Sequence, residues 1–222
     1  MFMDSLNVEI WSDIACPFCF VGKRHFETAL ARFEHREHVT VTWRSFELDP
    51  AAPPAHEGDV WDNISRSYRV SREEAIAINK RTQVSIAAAG IEAHFELVRP
   101  GNMFDGHRLI HLARARGKQD EMKERLLSAY FTEGKLIADH GVLRQLGLDV
   151  GLVEAEVDEM LTSRAFADEV REDEATARSL GITGVPFFVV DRRFNLSGAQ
   201  PPETLLSMLQ AGWDARGRPH AS

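Results

Sequence analysis

The chain has 222 residues, 44% of them hydrophobic, and 26 Lys and Arg against 34 Asp and Glu give a formal net charge of −8. That length and apolar content suit one large domain, or one domain carrying an insertion. The acidic balance excludes a general nucleic-acid binder, which carries a basic footprint, and no run of about 18 apolar residues is present to span a membrane.

Residues 1–6 carry no basic stretch leading into a long apolar run, so no targeting segment is expected and a reducing cytoplasm is the default compartment. Residues 7–12 read as a buried strand. The only two cysteines follow, in Cys16-Pro17-Phe18-Cys19, and a helical pattern with Phe26, Ala29, Leu30 and Phe33 covers residues 17–34. Proline suits the first helical position, which makes Cys16 an N-cap with its sulfur at the positive end of the helix. Cys19 lies two turns before Phe26 and shares its core-facing stripe. Cys16 is therefore the expected attacking thiol and Cys19 the shielded, resolving one. A zinc site needs two more ligands that no cysteine supplies, so no metal is expected. A structural disulfide does not suit a reducing compartment.

Residues 39–46 alternate apolar and polar side chains as a strand does, and Asp49-Pro50-Ala51-Ala52-Pro53-Pro54 breaks regular structure. From about 60 to 180 the pattern is helical. Ser71 to Glu74 forms a capping box for a helix ending at Gly90. Asn102 caps a helix over 103–116, stopped at Gly117, and another covers about 120–132. Asp139 and Gly147 bracket a short helix, Asp149 caps one to about 161, and a long one runs from about 163 to Gly181. Its acidic residues, Asp168, Glu169 and Glu172 to Glu174, read as a solvated face.

The β pattern returns at Val185-Pro186-Phe187-Phe188-Val189-Val190, with a turn at Asp191-Arg192-Arg193 and a hairpin partner at 194–197. A last helix after Pro201-Pro202 carries Leu205, Leu206, Leu209 and Trp213, and residues 216–222 read as a loose tail. The order βαβ, helical block, ββα is that of an α/β thioredoxin fold with a large all-helical insertion. Residues 4–55 and 166–215 make the discontinuous thioredoxin-like domain, and 56–165 the insertion.

Five segments then resemble, in order, the DsbA-like thioredoxin-fold oxidoreductases of the FrnE-like branch. They are residues 12–24 around the CPFC motif, Trp43-Arg44-Ser45-Phe46-Glu47-Leu48, residues 102–109, Gly184-Val185-Pro186-Phe187-Phe188-Val189 and Ser197-Gly198-Ala199-Gln200-Pro201. The resemblance implies thiol–disulfide exchange at Cys16 and Cys19. It implies a cis peptide at Val185-Pro186 that offers the Val185 backbone to a substrate. It also implies an inserted helix whose start, with His107 and Arg108, faces the CxxC motif across a cleft. Val185, Phe18, His107 and Arg108 are thus the expected substrate-binding residues. His107 also reads as ordinary helix surface or core, and the spacing of His107 and His111 is compatible with a metal.

Asp13 has two open readings, as proton acceptor for Cys19 or as a loop carboxylate. Many thioredoxin-fold proteins bury an acid six residues before the first cysteine; here that position is Ile10, and Glu9 points to the opposite face. Phe18 cannot stabilise a Cys16 thiolate as a basic residue would, so a moderately oxidising site is expected. The expected partners are a peptide or small thiol, with glutathione as a candidate co-substrate, no resident cofactor, no nucleic acid and no membrane, in a monomer or homodimer. The alternative is a glutathione-dependent transferase or isomerase of the kappa and hydroxychromene-carboxylate isomerase type, which places a serine where Cys16 stands. A third reading is a binding module with incidental cysteines.

Overall fold

The computed structural model describes residues 5–217. The expected domain start at residue 4, the end of the expected tail and most of the segment read for targeting lie outside the described residues. Strand β1 (Leu6–Ser12) occupies the centre of a four-stranded sheet of order β2-β1-β3-β4. It pairs in parallel with β2 (Val39–Ser45), and a parallel pair needs a crossover, which helix α1 (Pro17–Arg32) supplies. Strand β3 (Phe187–Val190) runs antiparallel to β1, and β4 (Phe194–Ser197) completes the hairpin. In this register Ile10 lies between Trp43 and Phe188.

The alternation along β1 sets the two faces. Leu6, Val8 and Ile10 pack with Phe26 of α1, with Phe33 just after it, and with Leu205 and Leu209 of α9 (Pro202–Asp214). Trp11 and Val189 point the other way, onto Ala177 and Ile182 at the end of α8 (Ala167–Ser179). Between β2 and α8 the chain forms α2 (Val60–Tyr68), α3 (Arg72–Ala88), α4 (Phe104–Ala115), α5 (Gln119–Phe131), α6 (His140–Asp149) and α7 (Glu154–Thr162). Leu109, Leu126, Leu127, Phe131 and Val157 of these helices join the same apolar core as the sheet, so the insertion packs onto the thioredoxin half without a core of its own.

Several expected boundaries move for physical reasons. Helix α6 runs through Gly147, where a Cβ would meet Val157 at 3.0 Å; this glycine lets α6 and α7 approach rather than ending a helix. The next helix starts at Glu154, after Gly151 turns the chain at φ +79°, not at Asp149. Residues 163–166 form a turn closed by Phe166 at φ +63°, so α8 begins four residues later than its periodicity predicts. Arg216, expected in a loose tail, pairs with Asp191 at 2.9 Å.

Candidate active site

Pro17 opens α1, and the Cys19 N–H donates to the Cys16 carbonyl at 3.0 Å, which winds the CPFC segment into the first turn. Both thiols are free. Cys19 is 0% exposed and Cys16 5%, while Phe18 between them is 43% exposed. Solvent therefore meets the dithiol only at Cys16, beside an open phenyl ring. The Cys16 sulfur closes no cap hydrogen bond; it lies 3.5 Å from the Val185 carbonyl, on the cis Val185–Pro186 peptide. Gly22 makes that approach feasible, because a Cβ there would sit 2.8 Å from Pro186 Cγ. The Pro186 carbonyl is held from the other side by the Gly198 N–H at 2.8 Å.

The two sulfurs are hydrogen-bonded, with Cys16 donating to Cys19, so each alters the titration of the other. Cys16 is pushed well above the ordinary thiol range, first by its hydrogen bond with Cys19 and then by burial. Burial pushes Cys19 up as well, but the hydrogen bond from Cys16, the charge of Lys123 and the Ser12 hydroxyl outweigh it and draw this thiol down. The sequence placed the negative charge on Cys16, at the helix N-terminus. The hydrogen bond between the two sulfurs works against that placement, while exposure leaves Cys16 as the sulfur within reach.

Asp13 lies beneath the motif, fully buried. Its Oδ2 accepts the Leu48 N–H at 2.7 Å; its Oδ1 accepts the Ala15 N–H at 3.2 Å and lies 3.3 Å from His107 Nε2. Burial pushes this carboxyl up, yet the hydrogen bond and charge of His107, with the two backbone N–H groups, hold it below its ordinary range. His107 is itself pushed down by burial, and its Nδ1 has no hydrogen-bond partner among the described residues.

The inserted helix α4 reaches the site differently from expectation. No open cleft separates it from the motif at this point. A Cβ at Gly106 would lie 2.7 Å from Ile14, so α4 rests directly on the loop before Cys16 and buries His107 behind it. Arg108 is not available to a substrate carboxylate. Its Nε donates to the Ala165 carbonyl at 2.8 Å, and its Nη1 to Asp105 at 2.7 Å. Its Nη2 donates to the Ser163 carbonyl at 2.7 Å and also to that of Met160. This arginine ties α4 to the α7–α8 turn.

The metal spacing dissolves as well. His107 faces Asp13, whereas His111 Nε2 lies 3.1 Å from both Ser45 Oγ and Asp173 Oδ2. No group of three or more His, Cys, Asp or Glu side chains is placed to hold a metal ion among the described residues. The acidic segment of α8 is only partly a solvated face. Asp173 is buried and accepts from Arg44 Nη1 and the Ser45 N–H, both at 2.8 Å; Glu174 is buried beside Glu47, with Arg171 bridging the two.

Sequence reasoning missed Lys123 of α5. It is 1% exposed, donates to the Ser12 carbonyl at 3.4 Å and lies 5.8 Å from the Trp43 ring centroid. A lysine on a stripe with Met122, Leu126, Leu127 and Tyr130, all buried, was the available signal.

Residues 7–210 match the model of the DSBA-like thioredoxin domain. The chain is 30% identical over 188 residues to the uncharacterized protein YwbO of Bacillus subtilis, covering 84% of this chain and 87% of that one. It is 41% identical to a probable DsbA oxidoreductase from Streptomyces coelicolor, with a TM-score of 0.91 over 98% of this chain and 93% of the other. The cytosolic disulfide reductase DsbM from Pseudomonas aeruginosa, solved with GSH, shares the fold at 18% identity, with a TM-score of 0.65 over 94% of this chain and all of that one.

Proposed function

The chain belongs to the DsbA-like thioredoxin family, and we propose that it is a thiol–disulfide oxidoreductase using Cys16 as the nucleophile and Cys19 as the resolving thiol. One observation carries this reading: two free thiols at the start of α1, one reachable and one sealed, with the reachable sulfur 3.5 Å from the Val185 carbonyl. The strong similarity to a probable DsbA oxidoreductase supports it.

The chemistry balances as two displacements. Cys16 gives its proton to solvent as its sulfur attacks a substrate disulfide; a Cys16–substrate disulfide forms, the substrate S–S bond breaks, and the first thiolate leaves and takes a proton from water. Cys19 then loses its proton to solvent and attacks Cys16 sulfur. The internal disulfide forms, and the second substrate thiolate leaves and is protonated. The substrate gains two electrons and two protons, and the dithiol loses them. The reverse sequence oxidises a dithiol substrate. Val185 and the exposed Phe18 are the surfaces an extended peptide or small thiol such as glutathione would meet. With Arg108 engaged internally, recognition of a substrate carboxylate there is no part of the proposal.

No helix among the described residues is long and apolar enough to cross a membrane. A reducing cytoplasm suits a resting dithiol, and the cytosolic relative DsbM is in keeping with that placement.

Equilibration in glutathione buffers, followed by trapping of free thiols, tests the reading. The expected result is a single two-electron transition, absent in Cys16→Ser. A Cys16→Ser protein that conjugates or isomerises glutathione substrates at the wild-type rate would establish the transferase alternative instead.

A further inference from the structure

Two lysines are equally sealed in this protein, each 1% exposed, and their surroundings differ. Lys23 of α1 is ringed by carboxylates, with Glu27 in contact, Asp120 at 3.1 Å and Glu124 at 3.2 Å. Its charge is paired, as burial requires. Lys123 has no carboxylate oxygen within 4 Å among the described residues, and one hydrogen bond, to the Ser12 carbonyl. An ammonium has three donors, so most of its capacity is unspent. An unpaired buried cation destabilises a fold, which makes its presence beside a dithiol informative.

We infer that Lys123 is a positioning residue for the resolving step: its ammonium holds the Cys19 sulfur ready as the thiolate once Cys16 is tied to a substrate. The inference rests on the exchange reading above and deepens it. In the free dithiol Cys19 is assisted chiefly by the hydrogen bond from Cys16. In the mixed disulfide the Cys16 sulfur carries no proton, and that assistance ends. What remains around Cys19 is the charge of Lys123, the Ser12 hydroxyl, which has no other partner among the described residues, and the Asp13 backbone N–H.

Asp13 cannot take this role. Its oxygens are committed to Leu48, Ala15 and His107, and as a buried carboxylate it opposes charge on the dithiol. The other groups facing Lys123 are Cys16, Cys19 and Lys23 of α1, Asp13 of the preceding loop and His107 of α4. Lys23 is already neutralised by its carboxylates, and burial pushes the His107 ring down while Asp13 works to keep it charged. Burial pushes the Lys123 amine down, and Cys19, Asp13 and Cys16 act to keep it charged.

The experiment is a thiolate absorbance titration of Cys19 in a Cys16→Ala protein, which imitates the loss of the Cys16 proton. Lys123→Met on that background raises the midpoint by about one unit or more, a tenfold loss of thiolate near neutrality, whereas Lys123→Arg leaves it nearly in place. An unchanged midpoint in the methionine variant overturns the inference. The methionine side chain fits the apolar stripe and removes an unpaired charge, so an unfolding midpoint at least as high as that of the parent is expected. Should the variant fail to fold, the Cys16→Ala parent decides alone. A midpoint at or below the ordinary thiol value of about 8.5 supports Lys123, and one well above it is the behaviour of a buried thiol without a nearby charge and overturns the inference. The titration involves no disulfide exchange. Failure of wild-type protein to exchange with glutathione disulfide would strike the oxidoreductase reading, while a flat response to Lys123→Met would strike only the lysine.

Discussion

The Asp13 carboxylate accepts the Leu48 backbone N–H at 2.7 Å, which fastens the loop before the CPFC motif to the segment leaving β2. Leu48 follows a sheet strand and Asp13 precedes the catalytic turn, so one side chain sets the height of the motif above the sheet. Asp13→Asn keeps the shape and removes the charge that Leu48, Ala15 and His107 satisfy. It should cost about 2–4 kcal/mol at neutral pH, since it breaks a buried charged network from one side. Because Asp13 is held below its ordinary range, its contribution is present above about pH 4 and is lost as pH falls through the lowered value. Urea midpoints at pH 7 and pH 3 should therefore fall less steeply in Asp13→Asn than in wild type. Parallel pH profiles would remove Asp13 as the clamp.

A second titrating carboxyl lies next door. Burial, then the contact with Glu174, raises the Glu47 carboxyl to about 7, with Arg171 at 2.6 Å working against both. An acid raised in the folded state stabilises the fold below its unfolded value and loses that contribution as pH rises through the folded one. Wild-type stability should thus decline between about pH 5 and 8 through the Glu47 carboxyl. Glu47→Gln should flatten that limb and leave the acid side unchanged. Equal slopes in the two proteins over this range would show that burial beside Glu174 does not raise the Glu47 carboxyl.

The accessibility of the thiols gives a kinetic prediction. In the reduced native protein Cys16 should react with iodoacetamide roughly tenfold or more faster than Cys19, because only Cys16 meets solvent. Peptide mapping after brief labelling reads this directly. Equal labelling of both peptides would contradict the division into nucleophile and resolver.

Phe18 controls poise through what it lacks. Its ring is exposed, so Phe18→His introduces a donor beside the dithiol without disturbing the core. Histidine should stabilise the reduced, thiolate-bearing form and raise the potential by about 30 mV for each tenfold gain in that form. A lowered potential in this variant would overturn the role assigned to the intervening residues.

Much of this site is written in local patterns. The CPFC motif, the strand before it, the helix after it and the β3–β4 hairpin carry short-range signals, and so their residues come out in place. What the pattern does not carry is direction over long sequence distances. Arg108 follows a helix cap, where an anion site is a fair reading, yet its guanidinium turns inward to carbonyls 52 to 57 residues away. Gly22 and Gly106 read as small helical residues, although each is required by a neighbour distant in sequence, Pro186 and Ile14. Lys123 interrupts an apolar stripe by one charge, and only the packing of α5 against the motif gives that charge a purpose. Gly147 shows the reverse error, a packing glycine taken for a helix stop.

The central claim, that Cys16 exchanges with disulfides and Cys19 resolves the product, is tested most directly by mass spectrometry of reduced protein mixed with glutathione disulfide. Wild type should pass to the internal disulfide with at most a transient adduct. Cys19→Ala should accumulate one glutathione on Cys16, and Cys16→Ala should accumulate little on the sealed Cys19. A Cys19→Ala protein that forms no adduct, or a Cys16→Ala protein that forms one as readily, would contradict the account.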